Sequence, residues 1–125
     1  MQNEAARPLR VTYAGQWAHG LRQGNGTAYK VDGGYYKGQW EAGLKHGLGR
    51  DVLDNEANYY QGHFISGKRQ GHGILVYRDQ IYDGEWLNDK MDGFGILKNE
   101  TSGFYYEGYF KANHFDGKVL MHTDT

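Results

Sequence analysis

The chain has 125 residues and a formal net charge of −1, with 20 glycines, 11 tyrosines, one proline and no cysteine. Such a charge carries no bulk positive field that would recruit nucleic acid, so nucleic acid is not expected as a partner. The lack of cysteine excludes disulfides and thiolate metal sites and suits a reducing compartment. No apolar run approaches the roughly 20 residues of a membrane span, and residues 1–8 lack the apolar core of a secretory signal. We therefore expect an intracellular, cytoplasmic protein.

The dominant feature of the sequence is a tandem repeat that opens with Tyr-x-Gly-x-(Trp/Phe). Because side chains alternate along a strand, the tyrosine, the glycine and the second aromatic share one face, and the mostly polar residues between them meet water. A pair of glycines at 11 and 13 residues after each of the first four tyrosines predicts a second strand. The repeats begin at Tyr13, Tyr36, Tyr60, Tyr82 and Tyr106.

A turn is predicted seven residues after each tyrosine. That position is glycine in the first three copies and becomes Asp89 and Asn113 in the last two. Asn and Asp tolerate positive φ best after glycine, so the position reads as a turn inside a polar hairpin loop such as residues 41–46. We also expect the central glycine of each motif to leave a hole in which a ring of the neighbouring unit lies flat.

These units predict an all-β fold, a single-layer twisted solenoid of about five tandem antiparallel β-hairpins. An isolated hairpin is marginal in water, whereas stacked copies cover the apolar faces of their neighbours. We assign residues 1–12 to an N-terminal arm or capping strand, 13–118 to the repeats and 119–125 to a C-terminal cap or tail. No helix is expected within 13–118.

The repeat resembles the MORN repeat (membrane occupation and recognition nexus). The resemblance is carried by the Tyr-x-Gly-x-Trp opening, the turn and the basic-His-Gly-x-Gly ending, as in residues 36–49. The fifth copy departs from the pattern, with Val119 where the second glycine belongs. The resemblance implies a hairpin solenoid and a family of membrane-associated, cytoskeletal and ciliary scaffolds.

No catalytic or metal site is indicated by the residues. The glycine pairs lack the third glycine and the helix of a phosphate-binding loop, and they recur four times. No His-x₃-His pair stands with carboxylates at ligand spacing, and no Gly-x-Ser-x-Gly elbow occurs. His46 and His72 read as solvated or capping residues. We expect no enzyme, no cofactor and no metal, and an enzymatic role would require a catalytic domain elsewhere in a larger protein.

The aromatic row is the predicted partner-binding surface. A single-layer sheet should leave part of the row uncovered, and exposed apolar strips rimmed by polar residues mark binding sites. A helical or extended segment of a partner protein would fill such a groove. The predicted residues are Tyr13, Trp17, Tyr36, Trp40, Tyr60, Phe64, Tyr82, Trp86, Tyr106 and Phe110.

A row of basic residues gives the second hypothesis. It follows the turns and is expected along one edge of the solenoid at intervals of about 10 Å, where it could meet acidic phospholipid or an acidic protein. Lysine in loops also deters edge aggregation, which is the simpler interpretation. The candidates are Arg22, Lys45, Lys68, Arg69 and Lys90.

The sequence therefore predicts a non-enzymatic scaffold or adaptor that binds a partner protein, as part of a cytoskeletal, ciliary or other large assembly. The alternative is an acidic-phospholipid or membrane-tethering module that uses the basic loop edge. Open solenoid ends also make a homodimer conceivable.

Overall fold

The protein is described by a computed structural model that covers residues 12–54 and 56–123, with the backbone alone at 118–120 and 123. The described chain forms one antiparallel sheet of ten strands, which neighbour one another in sequence order from β1 to β10. Each repeat contributes two strands, so the sheet grows by one hairpin per repeat. The strands are β1 (Tyr13–Ala18), β2 (Leu21–Tyr29), β3 (Tyr35–Glu41), β4 (Leu44–Val52), β5 (Tyr59–Ile65), β6 (Lys68–Tyr77), β7 (Gln80–Leu87), β8 (Lys90–Asn99), β9 (Phe104–Lys111) and β10 (His114–Thr123).

The hairpins close through two-residue turns in which both central residues have positive φ. In the second hairpin these residues are Ala42 and Gly43, at 49° and 83°, and in the fourth they are Asn88 and Asp89, at 49° and 70°. Two successive positive φ values define the type I′ turn, whose twist matches that of the strands it joins. The predicted turn position is confirmed, but the loop is shorter than predicted because the strands continue to within one residue of it.

The aromatic rings pack edge to face along one side of the sheet. Within the second repeat, the rings of Tyr36 and Trp40 are 5.0 Å apart at 87°. The Tyr36 ring also meets Phe64 of the next repeat at 5.2 Å and 89°. Edge-to-face pairs at this separation are the favoured aromatic geometry, and seven rings of the row form the buried core. The ring row is thus the hydrophobic core of a molecule with few aliphatic side chains.

Glycines line up across the sheet beneath these rings. Gly38 lies opposite Gly49 in the hairpin, and Gly49 lies opposite Gly62 in the next unit. A Cβ at Gly49 would collide with the hydroxyl and ring carbons of Tyr36. The expectation that a neighbouring unit's ring covers the glycine is therefore wrong, because the unit's own tyrosine lies there. The Tyr36 hydroxyl is held in place by donating to the Gln39 carbonyl at 2.9 Å.

The predicted fold class is confirmed, since the described residues form strands and turns and no helix. The fifth hairpin, β9–β10, is present despite its departure from the repeat pattern. The predicted arm falls largely outside the described residues. Its one described member, Thr12, accepts a hydrogen bond from the Tyr29 amide at 2.8 Å. The predicted capping role of residues 119–120 concerns side chains that lie outside the description.

Candidate binding surfaces

The sheet has two faces of opposite character. The first, here called the ring face, carries the tyrosine, glycine and second aromatic of each motif. The second, here called the open face, carries the residues between them, because side chains alternate along a strand. In β3 the alternation is clear: Tyr36 and Trp40 are buried, while Lys37, Gln39 and Glu41 are exposed. No second layer of the described chain covers the open face, since every described strand belongs to the one sheet.

Most of the predicted partner-binding aromatics are buried in the core of the ring face. Tyr36 is 1% exposed and Trp40 is 5% exposed, and five more rings of the row are similarly buried. Tyr13 and Tyr106 are half-buried, and Trp17, at the N-terminal end of the row, is 58% exposed. The structure brings all ten residues onto one face, but a partner could reach mainly the rings at its two ends.

Burial changes the chemistry of the core tyrosines. It raises the pKa of Tyr36 to about 12 and that of Tyr82 to about 12. The pKa of Tyr60 is raised further by the same cause. These hydroxyls stay protonated at any physiological pH and act as hydrogen-bond donors to carbonyls of their own strands.

The predicted basic row is divided between the two faces. Arg22, Lys45 and Arg69 are half-buried over the rings rather than free along the loop edge. The Arg22 guanidinium carbon lies 4.9 Å from the Tyr13 ring and 5.0 Å from the Trp40 ring. Such cation–π contacts hold the cations against the ring face. Lys68 and Lys90 each lie one residue from this position, so they are on the open face, where both are exposed.

Carboxylates pair with two of the cations on the ring face. Lys45 Nζ is 2.8 Å from Asp51, and Arg69 Nε is 3.1 Å from Asp89. Burial alone would raise the pKa of Asp89, but hydrogen bonds from the Arg69 backbone and guanidinium outweigh it and hold that pKa below its usual value. In the fourth repeat the cation position is taken by Met91, which packs against the same core. Contact with the rings, rather than charge, is what the repeats share here.

The open face carries exposed apolar side chains that the sequence analysis did not identify as a site. Phe94 is 45% exposed and Tyr109 is 59% exposed, and their rings are 5.6 Å apart on adjacent strands. Leu48 is exposed on β4 in the same row across the sheet. Leu48 and Phe94 are the middle residues of their Gly-x-Gly pairs. Other copies have a polar residue at this position, so the apolar residues could have indicated the site from the sequence. A rim of exposed aliphatics lies near the turns: Leu21, Leu44, Ile65 and Leu87.

Charge on the open face changes sign along the sheet. Lys37 and Arg50 lie opposite each other on β3 and β4. Asp83 on β7 and Glu107 on β9 occupy the same row further along, separated by Ile96. A shallow cavity of about 440 Å³ lies at the basic part of this face, lined by Lys37, Leu48, Gly49, Arg50, Gln61, Gly62, His63, His72 and Ile74.

The histidines have structural or surface positions. His46 Nδ1 accepts a hydrogen bond from the Ser66 amide at 3.2 Å, which agrees with the predicted capping role. His72 lies exposed within β6, between Asp83 at 3.0 Å and Glu85 at 3.3 Å. In the part of the chain that the structure describes, no three histidines or carboxylates are grouped to hold a metal ion. The same residues contain no helix with the length and apolar character to cross a membrane.

Comparison with known proteins finds similarity to parts of several much longer proteins. It is 27% identical to alsin of Homo sapiens over 146 residues, covering 90% of this chain and 9% of alsin. It is 30% identical to the ALS2 C-terminal-like protein of Homo sapiens over 98 residues, covering 74% of this chain and 10% of that protein. The inactive protein tyrosine kinase pTKL of Plasmodium falciparum is 31% identical over 77 residues. The chain thus spans about a tenth of the length of these relatives or less.

The repeats themselves are recognised by the MORN repeat family profile. The profile matches four segments, namely residues 13–35, 36–50, 60–80 and 82–100. These segments correspond to the first four hairpins of the sheet, and the fifth hairpin continues the same packing without a profile match. The chain belongs to the MORN repeat family.

Proposed function

We propose that this chain is a non-enzymatic scaffold that binds a partner protein through the open face of its sheet. The observation that carries the proposal is the exposure of Leu48, Phe94 and Tyr109 on a face that no other described element covers. Exposed apolar side chains rimmed by charge mark protein interaction sites, and aromatics are common hot spots. Such a scaffold would serve a cytoskeletal, ciliary or membrane-proximal assembly.

The arrangement of the open face favours a partner segment of matching pattern. Leu48 and Phe94 are four strand spacings apart, which is roughly 19 Å. An amphipathic helix of about 13 residues spans that distance. Acidic residues at one end of the segment would meet Lys37 and Arg50, and basic residues at the other end would meet Asp83. This change of charge sets the direction in which a segment lies across the sheet.

The test is affinity capture from the native cell with two variants of the full chain. The double variant Phe94→Ala/Tyr109→Ala removes the exposed ring pair, and Tyr77→Ala removes an exposed ring from the ring face as a control. We expect a stoichiometric partner to be retained by Tyr77→Ala and lost by the double variant. Loss of hot-spot aromatics costs about 2 kcal/mol or more, roughly a 30-fold weakening. A partner retained equally by both variants, or no stoichiometric partner, would contradict the proposal.

Binding of acidic phospholipid is the second candidate, supported by the exposure of Lys68 and Lys90 on the open face. These two lysines lie two strand spacings apart, about 10 Å. Pelleting with vesicles that contain phosphatidylserine should decrease when both become Glu. Arg22→Glu is the comparison variant, because Arg22 lies over rings on the other face. Pelleting that depends on Arg22 and not on the two lysines would contradict this assignment.

A further inference from the structure

We propose that two copies of this chain associate face to face through their open faces, related by a two-fold axis that runs along β6. The occupant of the open face is then a second copy of the same chain, turned end for end. The contact uses side chains of β3 to β9 and neither of the two outermost strands of the described sheet.

The charge of the open face is antisymmetric about β6. Directly opposed residues form one row across the sheet, in the order Lys37, Arg50, Gln61, Ile74, Asp83, Ile96 and Glu107. Ile74 on β6 stands in the middle of this row, with both cations on one side and both carboxylates on the other. A copy turned by 180° about β6 therefore lays its acidic half over the basic half of the first copy, with Glu107 over Lys37. Such complementary charges select this arrangement over the unturned one.

The apolar side chains of the open face match under the same rotation. Leu48 on β4 and Phe94 on β8 each lie two strands from β6, and they are 54% and 45% exposed. The rotation places Leu48 of one copy over Phe94 of the other, and this contact occurs twice in the dimer. On the axis, the half-buried Ile74 meets its own equivalent. Each of these contacts removes apolar surface from water, which favours association.

The two cations of the row are ordered but not neutralised within the described chain. Among the described residues, neither Lys37 nor Arg50 has a carboxylate at ion-pair distance, whereas cations of the ring face do. The Arg50 guanidinium carbon lies 3.8 Å from the centre of the Tyr59 ring, and its Nη1 donates to Gln61 Oε1 at 2.7 Å. A cation fixed in this way without an acidic neighbour favours an acidic surface as its partner. The acidic half of a second copy supplies that surface.

The dimensions of the contact correspond to a weak but specific dimer. Twisted sheets pack face to face about 10 Å apart, with their strands at about 30° to each other. Five strands from β4 to β8, with about seven residues of each, cover roughly 24 by 23 Å. Two such patches bury about 1,100 Å², which is near the lower limit of specific interfaces. Because the contact is two-fold, it closes on itself and gives a dimer and nothing longer.

The dimer uses the same face that the proposed function assigns to a partner protein, so the two contacts exclude each other. A second copy presents acidic residues to Lys37 and Arg50 and basic residues to Asp83, which is the charge pattern expected of the partner segment. The dimer is therefore the form that the chain adopts when no partner is bound, and a partner has to displace the second copy. Self-association does not require that a partner exists.

The test is sedimentation velocity of the full chain and of charge-reversed variants. Lys37→Glu places a carboxylate over Glu107 at both symmetric contacts, and Glu107→Lys places an ammonium group over Lys37. We expect the wild type to dimerise as its concentration rises, and each variant alone to associate at least tenfold more weakly. An equimolar mixture of the two variants should dimerise like the wild type, because every reversed residue then faces an opposite charge. The double variant Lys37→Glu/Glu107→Lys should dimerise by itself for the same reason.

Two further sets of variants keep the result interpretable. Arg78→Glu reverses a cation that lies 5.3 Å from the Tyr77 ring, away from the open face, and it should associate like the wild type. If circular dichroism shows that Glu107→Lys does not fold, Leu48→Glu and Phe94→Lys replace the charge pair, since both side chains are exposed. Each of these two should associate weakly alone and recover in the mixture.

The outcomes separate this dimer from the proposed function. A wild type that is still monomeric at about 1 mM, or a mixture that does not recover association, would overturn the dimer. So would equal weakening by Arg78→Glu and Lys37→Glu. The double variant Lys37→Glu/Glu107→Lys reverses the direction of charge on the open face, so it should keep the dimer and lose the captured partner. Capture that finds no partner contradicts the proposed function and leaves the dimer unaffected.

Discussion

The two faces of the sheet are built from alternate residues of the same strands, yet they differ in every property that matters for binding. The ring face is a packed core of edge-to-face aromatics, closed over by Arg22, Lys45 and Arg69. The open face has few buried side chains and exposes Leu48, Phe94 and Tyr109. Side chains alternate between the two faces along each strand of this single-layer sheet. The residues on one face therefore build the core, and the residues on the other face are free to bind.

The glycine row explains how a core fits on one side of a single sheet. A tyrosine can lie flat on its own strands only where the residues beneath it lack a side chain, as at Gly38 and Gly49. The flat rings then form a continuous surface on which the second aromatic of each unit stands edge-on. The open face needs no such arrangement, and its composition is free to vary.

The largest expected difference in stability is between substitutions of Gly49 and Leu48, which are adjacent in the sequence but lie on opposite faces of the sheet. Gly49→Val places side-chain carbons where the Tyr36 ring lies, and a rigid, buried ring cannot move aside. We expect a loss of about 4 kcal/mol or more in the free energy of unfolding, enough to prevent stable folding. Leu48→Val, one residue away and exposed, should change it by less than about 0.5 kcal/mol. Urea denaturation followed by circular dichroism measures both, and equal losses would refute the division into two faces.

Trp40 and Trp17 occupy the same position in their repeats, but Trp40 lies in the interior of the ring face and Trp17 lies at its end. Substituting each in turn compares the interior with the end. Trp40→Ala removes a buried ring that contacts Tyr13 and Tyr36 and donates to the Gly26 carbonyl. Its expected cost is roughly 3–5 kcal/mol. Trp17→Ala removes a ring that is mostly in water, and its cost should stay near about 1 kcal/mol. Similar costs for the two, measured by denaturant unfolding, would show that the exposed end of the row is not as described.

High pH should destabilise the ring face through its tyrosines. An unfolded tyrosine ionises near pH 10, whereas the folded pKa of Tyr36 and of Tyr82 is raised to about 12. The stability held by each protonated hydroxyl is complete below pH 10 and is lost as the pH rises to 12. The loss is roughly 1.4 kcal/mol per pH unit for each tyrosine.

Unfolding free energies at pH 8, 10 and 11, together with phenolate absorbance, check this dependence. Tyr36→Phe should lower stability at neutral pH, because the hydrogen bond to the Gln39 carbonyl is lost. It should also reduce the slope above pH 10, since one buried phenol fewer is present. A slope that is the same in Tyr36→Phe would mean that this hydroxyl does not titrate with unfolding.

Much of this architecture could be predicted from the sequence, because periodicity determines it. The spacing of Tyr13, Tyr36 and the later tyrosines predicts the hairpins, and Asp89 and Asn113 at a glycine position identify the turn. The coverage of the rings could not be predicted. The alternation of side chains along a strand places Tyr36 and Trp40 on one face, but it does not predict whether neighbouring rings bury them. In the structure neighbouring rings do bury both.

The residues of the candidate binding surfaces were also hard to predict, because the repeat pattern does not show which side chains are covered and which are exposed. Arg22 and Lys45 follow the turns, where charged residues are usually solvated, and only the structure shows them lying over rings. Phe94 was not predicted as a binding residue because it lies between two glycines of the repeat. The Gly-x-Gly pattern was interpreted through the backbone at these glycines and not through the side chain between them. The exposure of Trp17 could not be predicted either, because Trp17 occupies the same motif position as Trp40, which is buried.

A smaller effect is expected from substitutions in the turns, which belong to neither face. Ala42 and Asn88 have the same φ of 49°, and the backbone amide of each donates to a glutamine side chain at 3.0 Å. Asparagine tolerates this conformation better than alanine does, so Ala42→Asn should stabilise the protein by about 0.5–1 kcal/mol. Asn88→Ala should cost a similar amount, because only the side chain's compatibility with positive φ changes. Thermal or urea unfolding measures the free energy of unfolding of both variants. Shifts of equal size and opposite sign would show that backbone strain in the turns affects stability independently of the packing of the ring face. A gain from Ala42→Asn without a loss from Asn88→Ala would instead show that Asp89, which binds Arg69, already fixes the fourth turn.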